Sequence, residues 1–218
     1  MSRTALIAGA SGLVGGHLLK ALLDAEAWDR VISIGRRRLD VDHPELEQII
    51  ADFDHLDAVD FPQSDDAFCC LGTTIKKAGS NEAFRRVDLD YVVDFAHQAQ
   101  LHGATQFLVV SALGADADSR IFYNRTKGEM ERAVAQLPYE AVQIVRPALL
   151  LGDRDVDRPK ERIAELLSKP FTPFLAGPLR KYRPIQGKAV ARSLVAAAQQ
   201  RRPGVHIFES DELQRVGS

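Results

Sequence analysis

The chain has 218 residues, 45% hydrophobic and 27% charged, with a formal net charge of −2. It is long enough to bury a full core, most economically as one unit over residues 1–218, and too near neutral to give nucleic acid or an anionic membrane an electrostatic hold. No long uncharged apolar segment provides a membrane span, and the N-terminus runs directly into an apolar strand instead of a basic, cleavable leader, so the expected location is the cytoplasm. The only cysteines, Cys69 and Cys70, are adjacent in an apolar run, which excludes a disulfide framework and reads as strand before redox chemistry. Six scattered histidines with no i, i+4 pair argue against a metal site.

Thr4 to Ala8 is too short for a helix and apolar throughout, as expected for a central parallel strand covered on both faces. It breaks into Gly9-Ala10-Ser11-Gly12-Leu13-Val14-Gly15, a G-x-x-G-x-x-G spacing that opens a helix from Leu13 to about Ala25. Glycines so placed allow a tight turn, close approach of the backbone to a pyrophosphate and close packing of helix on strand. The free N–H groups and positive dipole end of the helix suit a phosphate. The triplet is also an ordinary structural turn, and its place after a strand at the start of the chain favours the dinucleotide reading.

Val31 to Ile34 is a second strand, ending in Gly35-Arg36-Arg37-Arg38. An NAD site places an acidic residue near this point, whereas Arg36 and Arg37 offer planar donor forks suited to a 2′-phosphate. The expected cofactor is NADP(H), against the alternative of a solvated basic loop. Leu46 to Ala51 is the third strand. Asp52 after it is either an acceptor for an adenine amino group or a helix cap. Ala67 to Leu71 is the fourth strand, and Leu71, Gly72 and Thr73 at its carboxyl end fall where a doubly wound sheet lines its ligand crevice, a plain turn being the alternative.

A helix from about Asn81 to Leu101 sets Phe84, Val87, Tyr91, Val92 and Phe95 on its core face. Gln106 to Val110 is the fifth strand, with Ser111 at its carboxyl end. Tyr123 and Lys127 then stand one turn apart early in a helix running to about Leu137, so phenol and ammonium can face one cleft. A free tyrosine ionises near pH ~10. An ammonium about 4 Å away favours tyrosinate by up to ~4 kcal/mol at an effective dielectric of ~20, or about three pH units, enough to make an acid-base catalyst. Ser111 at the neighbouring strand end could hold a carbonyl oxygen while Tyr123 protonates it.

Gly9 to Gly15, Ser111 and Tyr123-x-x-x-Lys127 together resemble the short-chain dehydrogenase/reductase superfamily. Ile34-Gly35-Arg36-Arg37, Phe68-Cys69-Cys70-Leu71-Gly72-Thr73-Thr74, Val87-Asp88-Leu89-Asp90-Tyr91-Val92 and Val145-Arg146-Pro147-Ala148-Leu149-Leu150-Leu151 are similar to its atypical branch containing the animal Tat-interactive oxidoreductase, with the likeness weakening after Gly152. The resemblance implies an α/β Rossmann fold, a doubly wound parallel sheet between two helix layers, binding NADPH. Tyr123 would be the general acid/base, Lys127 would hold the nicotinamide ribose, and Ser111 would position the substrate carbonyl. Many active members carry an asparagine on the helix after the fourth strand, where this chain has Asp88.

Tyr139 to Val145 is the sixth strand, and Pro147 after it either packs near the nicotinamide or simply stops the strand. Residues 152–186 read as a small substrate-side lobe, with a short helix near Glu161 to Leu167 and an apolar wall of Phe171, Phe174 and Leu175. A helix over Gly187 to Gln200, a last strand at His206 to Phe208 and a terminal helix capped by Ser210 complete the chain. The leading expectation is an NADPH-dependent reductase of a small carbonyl or enone substrate. A nucleotide-sugar epimerase or dehydratase, and a redox-sensing NADPH-binding regulator with little turnover, are the alternatives. Monomer and homodimer are both open.

Overall fold

The structure, a computed structural model, describes residues 3–152 and 177–217. Strand β1 (Thr4–Ala8) is the centre, with Ala5, Leu6, Ile7 and Ala8 wholly shielded from water, as a continuous apolar strand between two helix layers must be. Helix α1 (Leu13–Leu23) follows, then β2 (Arg30–Gly35), β3 (Leu46–Ile50), a 3-10 turn (Phe53–Ala58) and β4 (Asp66–Cys69). Helices α2 (Ile75–Ala78) and α3 (Asn81–Arg85) lead through a π-helical turn (Arg86–Asp90) into α4 (Tyr91–Leu101). Strand β5 (Gln106–Val110), α5 (Phe122–Val134), β6 (Ala141–Arg146) and β7 (Leu150–Leu151) come next. A 3-10 turn (Gly177–Tyr182), β8 (Ile185–Gln186), α6 (Gly187–Gln200), β9 (Gly204–Glu209) and α7 (Ser210–Val216) close the chain.

Seven parallel strands run in the order β3-β2-β1-β4-β5-β6-β9, and β7 pairs with β8 apart from them. This is the expected doubly wound sheet, whose order reverses between β1 and β4 and so opens a crevice at their carboxyl ends. One face is covered by α4, α5 and the first 3-10 turn through Phe53, Phe95 and Met130, in one cluster with Phe107 of β5. The other is covered by α1, α6 and α7 through Leu18, Leu22, Val190, Leu194 and Leu213.

Two expectations need correction. The helix over 81–101 is not continuous: the π turn inserts an extra residue, so Asp88 and Leu89 turn inward while Val87 and Tyr91 are only half-buried. Ser210 is the first residue of α7, not its cap. Glu209 takes that role in a reciprocal capping box with Glu212. The helix expected near 161–167 and the wall of Phe171, Phe174 and Leu175 lie outside the described residues.

Candidate active site

The glycine turn is shaped by close approach. Gly9 has φ +84°, and a Cβ there would sit 2.5 Å from the Cys70 carbonyl carbon, so only glycine lets β1 turn against the end of β4. Gly12 precedes α1 with no side-chain cap and donates its N–H to the Gly9 carbonyl at 3.0 Å. A Cβ on Gly15 would lie 2.1 Å from that same carbonyl, which presses the first turn of α1 onto the loop. No acidic side chain stands in that turn, so its free N–H groups face the crevice without a competing anion. Ser11 and Gly12 are exposed, Leu13 packs on the chain at Gly152 and Gly187, and the Val14 side chain is buried, leaving its backbone as its contribution.

Arg36 and Arg37 are exposed beyond the end of β2, level with the turn because Ile34 pairs with Ala8, and they have no carboxylate partner among the described residues. Asp52 caps the 3-10 turn through Asp54 N–H at 3.1 Å, so the capping role is filled while its side chain stays exposed. Leu71 packs against the core, Gly72 is exposed and Thr73 is half-buried.

Ser111 directly follows β5, its N–H bonded to the Val145 carbonyl at 2.8 Å. Its hydroxyl is buried and has no partner among the described residues. Next in the chain, Ala112, Leu113 and Gly114 join Tyr123, Asn124, Arg146, Pro147, Ala148 and Leu149 around a cavity of about 600 Å³. Lys181, Tyr182 and Glu209 line it as well. Tyr123 is half-buried with its ring 5.4 Å from that of Phe84.

The lysine is engaged elsewhere. Lys127 Nζ lies 2.7 Å from Asp88 Oδ1, in a pair whose side chains are only 5% and 1% exposed. The other Asp88 oxygen accepts the Thr73 N–H at 2.8 Å, and a Cβ on Gly72 would sit 3.4 Å from Asp88 Oδ1. Burial, the Asp88 carboxylate and Tyr123 act on the ammonium, the first against its charge and the others for it, with a net upward shift in its pKa. The anticipated fall in the Tyr123 pKa is not what this arrangement produces: burial and Asp88 outweigh Lys127, and the phenol is held above its ordinary value.

Several site residues escaped the sequence reading. Glu131, one turn beyond Lys127, accepts from Arg146 Nε at 2.9 Å and 3.2 Å, tying α5 to the end of β6. Gly128 would place a Cβ 2.0 Å from Ala117 N, so the loop after Ser111 lies directly on α5; a glycine inside a helix was the available signal. Lys181 and Glu209 pair at 3.2 Å across 28 residues and left no local pattern. The thiols of Cys69 and Cys70 are pushed up by burial, Cys69 to about 12, which keeps both protonated.

Residues 5–107 match the model of the NAD dependent epimerase/dehydratase family. The chain is 40% identical over 168 residues to Protein HTATIP2 of Rattus norvegicus, covering 75% of this chain and 69% of that protein. It is 32% identical over 213 residues to Protein FMP52, mitochondrial, of Eremothecium gossypii, covering 96% and 95%. Among solved structures, MoeE5 in complex with UDP-glucose and NAD superposes with a TM-score of 0.70 at 19% identity, over 96% of this chain and 79% of that one. The human epimerase family protein SDR39U1 with NADPH gives 0.62 at 20%, over 94% and 74%. The mitochondrial designation of FMP52 proteins that match nearly the whole chain overturns the cytoplasmic expectation, which rested on the absence of a leader pattern. Among the described residues no helix is long and apolar enough to cross a membrane.

Proposed function

Because the chain belongs to the NAD dependent epimerase/dehydratase family, within the atypical branch of the short-chain dehydrogenases/reductases, we propose that it is an NADPH-dependent oxidoreductase that reduces a small carbonyl or enone compound. The observation that carries this reading is the buried, unpartnered Ser111 hydroxyl, one residue before Ala112, which with Tyr123 lines the cavity. A buried polar group without a partner costs about 1–3 kcal/mol, and a substrate carbonyl oxygen is the acceptor that relieves it. The cavity, about 600 Å³, is of a size for a small molecule.

In this reading Ser111 donates to the carbonyl oxygen and holds it for Tyr123, whose O–H supplies the proton. The backbone of Gly9, Ser11, Gly12, Leu13, Val14 and Gly15 holds the pyrophosphate, and a first helical turn without an acidic side chain fits that group. Arg36 and Arg37 hold the 2′-phosphate and Asp52 lies towards the adenine. Leu71, Gly72 and Thr73 line the ribose side, Lys127 holds the nicotinamide ribose and Pro147 backs the ring. When bound, the nicotinamide supplies the hydride that reduces the carbonyl carbon.

Titration with NADPH and NADH, followed by nucleotide fluorescence, tests the cofactor assignment. NADPH is expected to bind more tightly, and the Arg36→Ala/Arg37→Ala double variant to lose about 10–100-fold in NADPH affinity while NADH is unchanged, since hydrogen bonds to charged groups contribute ~1.5–3 kcal/mol. Equal losses for both nucleotides, or no binding of either, would overturn it.

The nucleotide-sugar epimerase or dehydratase is the second reading, favoured by the matching family model and by the UDP-glucose bound to MoeE5. Conversion of UDP-glucose without net consumption of NADPH would select it. The redox-sensing alternative, a regulator that binds NADPH and a protein partner with little turnover, would be selected by finding no carbonyl substrate while a partner protein binds only the NADPH form.

A further inference from the structure

Asp88 occupies an unusual position. The π turn that carries it adds a residue to the helix and turns the carboxylate inward, where both oxygens are engaged: Oδ1 by Lys127 Nζ at 2.7 Å and Oδ2 by the Thr73 N–H at 2.8 Å. Gly72 lies against the pair, since a Cβ there would be 3.4 Å from Asp88 Oδ1 and 3.9 Å from Lys127 Nζ. One carboxylate therefore joins the loop after β4, the π turn and α5, next to the half-buried Tyr123.

We propose that Asp88 is a positioning residue which, by holding the Lys127 ammonium in a buried ion pair, joins the burial of the ring in keeping Tyr123 a neutral phenol, the form that gives a proton. This rests on the reading of Tyr123 as the acid. An ammonium alone beside a phenol favours tyrosinate, the form that removes a proton from an alcohol; an ammonium paired with a carboxylate presents almost no net charge. In reduction, the Tyr123 O–H bond breaks and its proton goes to the carbonyl oxygen. The carbonyl carbon gains a hydride and is reduced to the alcohol, while a reduced nicotinamide dinucleotide is oxidised. Solvent then returns the proton to Tyr123.

The other groups around the tyrosine do not disturb this balance. Cys69 on β4, beside Lys127 and Asp88, is kept a neutral thiol by burial. In the cavity lining Arg146 is held by Glu131, and Lys181 is paired with Glu209. Phe84, packed on the Tyr123 ring, carries no charge.

The test reads Tyr123 itself and needs neither cofactor nor substrate, so it can fail while NADPH binding stands, and the reverse. The chain has four tyrosines, so labelling at the tyrosine ζ carbon gives four resonances, with Tyr123 assigned by its loss in Tyr123→Phe. In the wild type the Tyr123 resonance should titrate above the ordinary value of about 10. In Asp88→Asn the midpoint should fall by at least about one pH unit, because the freed ammonium then acts on the phenol. Lys127→Met provides the opposite check and serves if Asp88→Asn does not fold: removing the cation should move the midpoint further up. A Tyr123 midpoint unchanged in Asp88→Asn, or in Lys127→Met where that variant stands in, would overturn the proposal.

Discussion

Two buried aspartates sit at opposite ends of the same sheet and do different things. At the amino end, Asp66 accepts from Trp28 Nε1 at 2.7 Å, Gln106 Nε2 at 2.9 Å, Arg201 Nη1 at 3.5 Å and the Arg3 guanidinium. Each of its oxygens has two donors, from side chains separated by up to 135 residues in sequence. At the carboxyl end, Asp88 has one ammonium and one backbone N–H, and its charge acts on the half-buried phenol of Tyr123. A carboxylate closed in by donors fastens the fold. One that shares its only cation with a neighbouring phenol bears on that phenol's charge.

That contrast can be broken by substitution. Asp66→Ala should cost the most stability, about 3–5 kcal/mol in chemical denaturation, because it strands the buried Trp28 and Gln106 donors and two arginines. Its folded fraction should still bind nucleotide normally. Gly15→Ala should come next: the added methyl meets the Gly9 carbonyl, so nucleotide binding should be lost, with stability falling by roughly 1–3 kcal/mol as the turn shifts. Ser111→Ala should divide stability from function. Removing an unpartnered hydroxyl should leave stability within about 0.5 kcal/mol, or raise it, while reduction of any accepted carbonyl slows at least about tenfold. If Ser111→Ala were as destabilising as Asp66→Ala, the two ends of the sheet would not differ as argued.

A further effect is alkaline. Cys69 in the folded chain holds its proton to about 12 against a reference value of 9.0, and Cys70, Tyr123 and Tyr139 are raised too. These groups bind protons more tightly folded than unfolded, so their contribution is complete below the unfolded values and is lost as pH rises above them. Stability should fall above about pH 9, by about 1.4 kcal/mol per pH unit for Cys69 alone, and Cys69→Ala should flatten that slope.

The glycine turn and its flanking strand and helix were legible because local propensity, apolar period and turn chemistry agree there. The same holds for Gln106–Val110 and Gly187–Gln200, whose observed bounds match the expected ones. The π turn was not legible, because Phe84, Val87, Tyr91 and Phe95 also satisfy an uninterrupted helical period. Nor was the fate of Lys127. Its spacing from Tyr123 is local, whereas its partner Asp88 lies 39 residues away and is brought in only by the stacking of α5 on the π turn. The Arg146–Glu131 and Lys181–Glu209 pairs that frame the cavity are likewise products of tertiary packing.

The central claim is that this cavity houses a proton donor for carbonyl reduction. Consumption of NADPH should be followed by absorbance against a panel of small aldehydes, ketones and enones, with wild-type protein beside Tyr123→Phe. The account predicts reduction of at least one compound and a loss of about 10²–10⁴-fold in Tyr123→Phe with nucleotide binding retained, the range expected for removal of a general acid. No reduction across the panel, or equal rates in the two proteins, would contradict it.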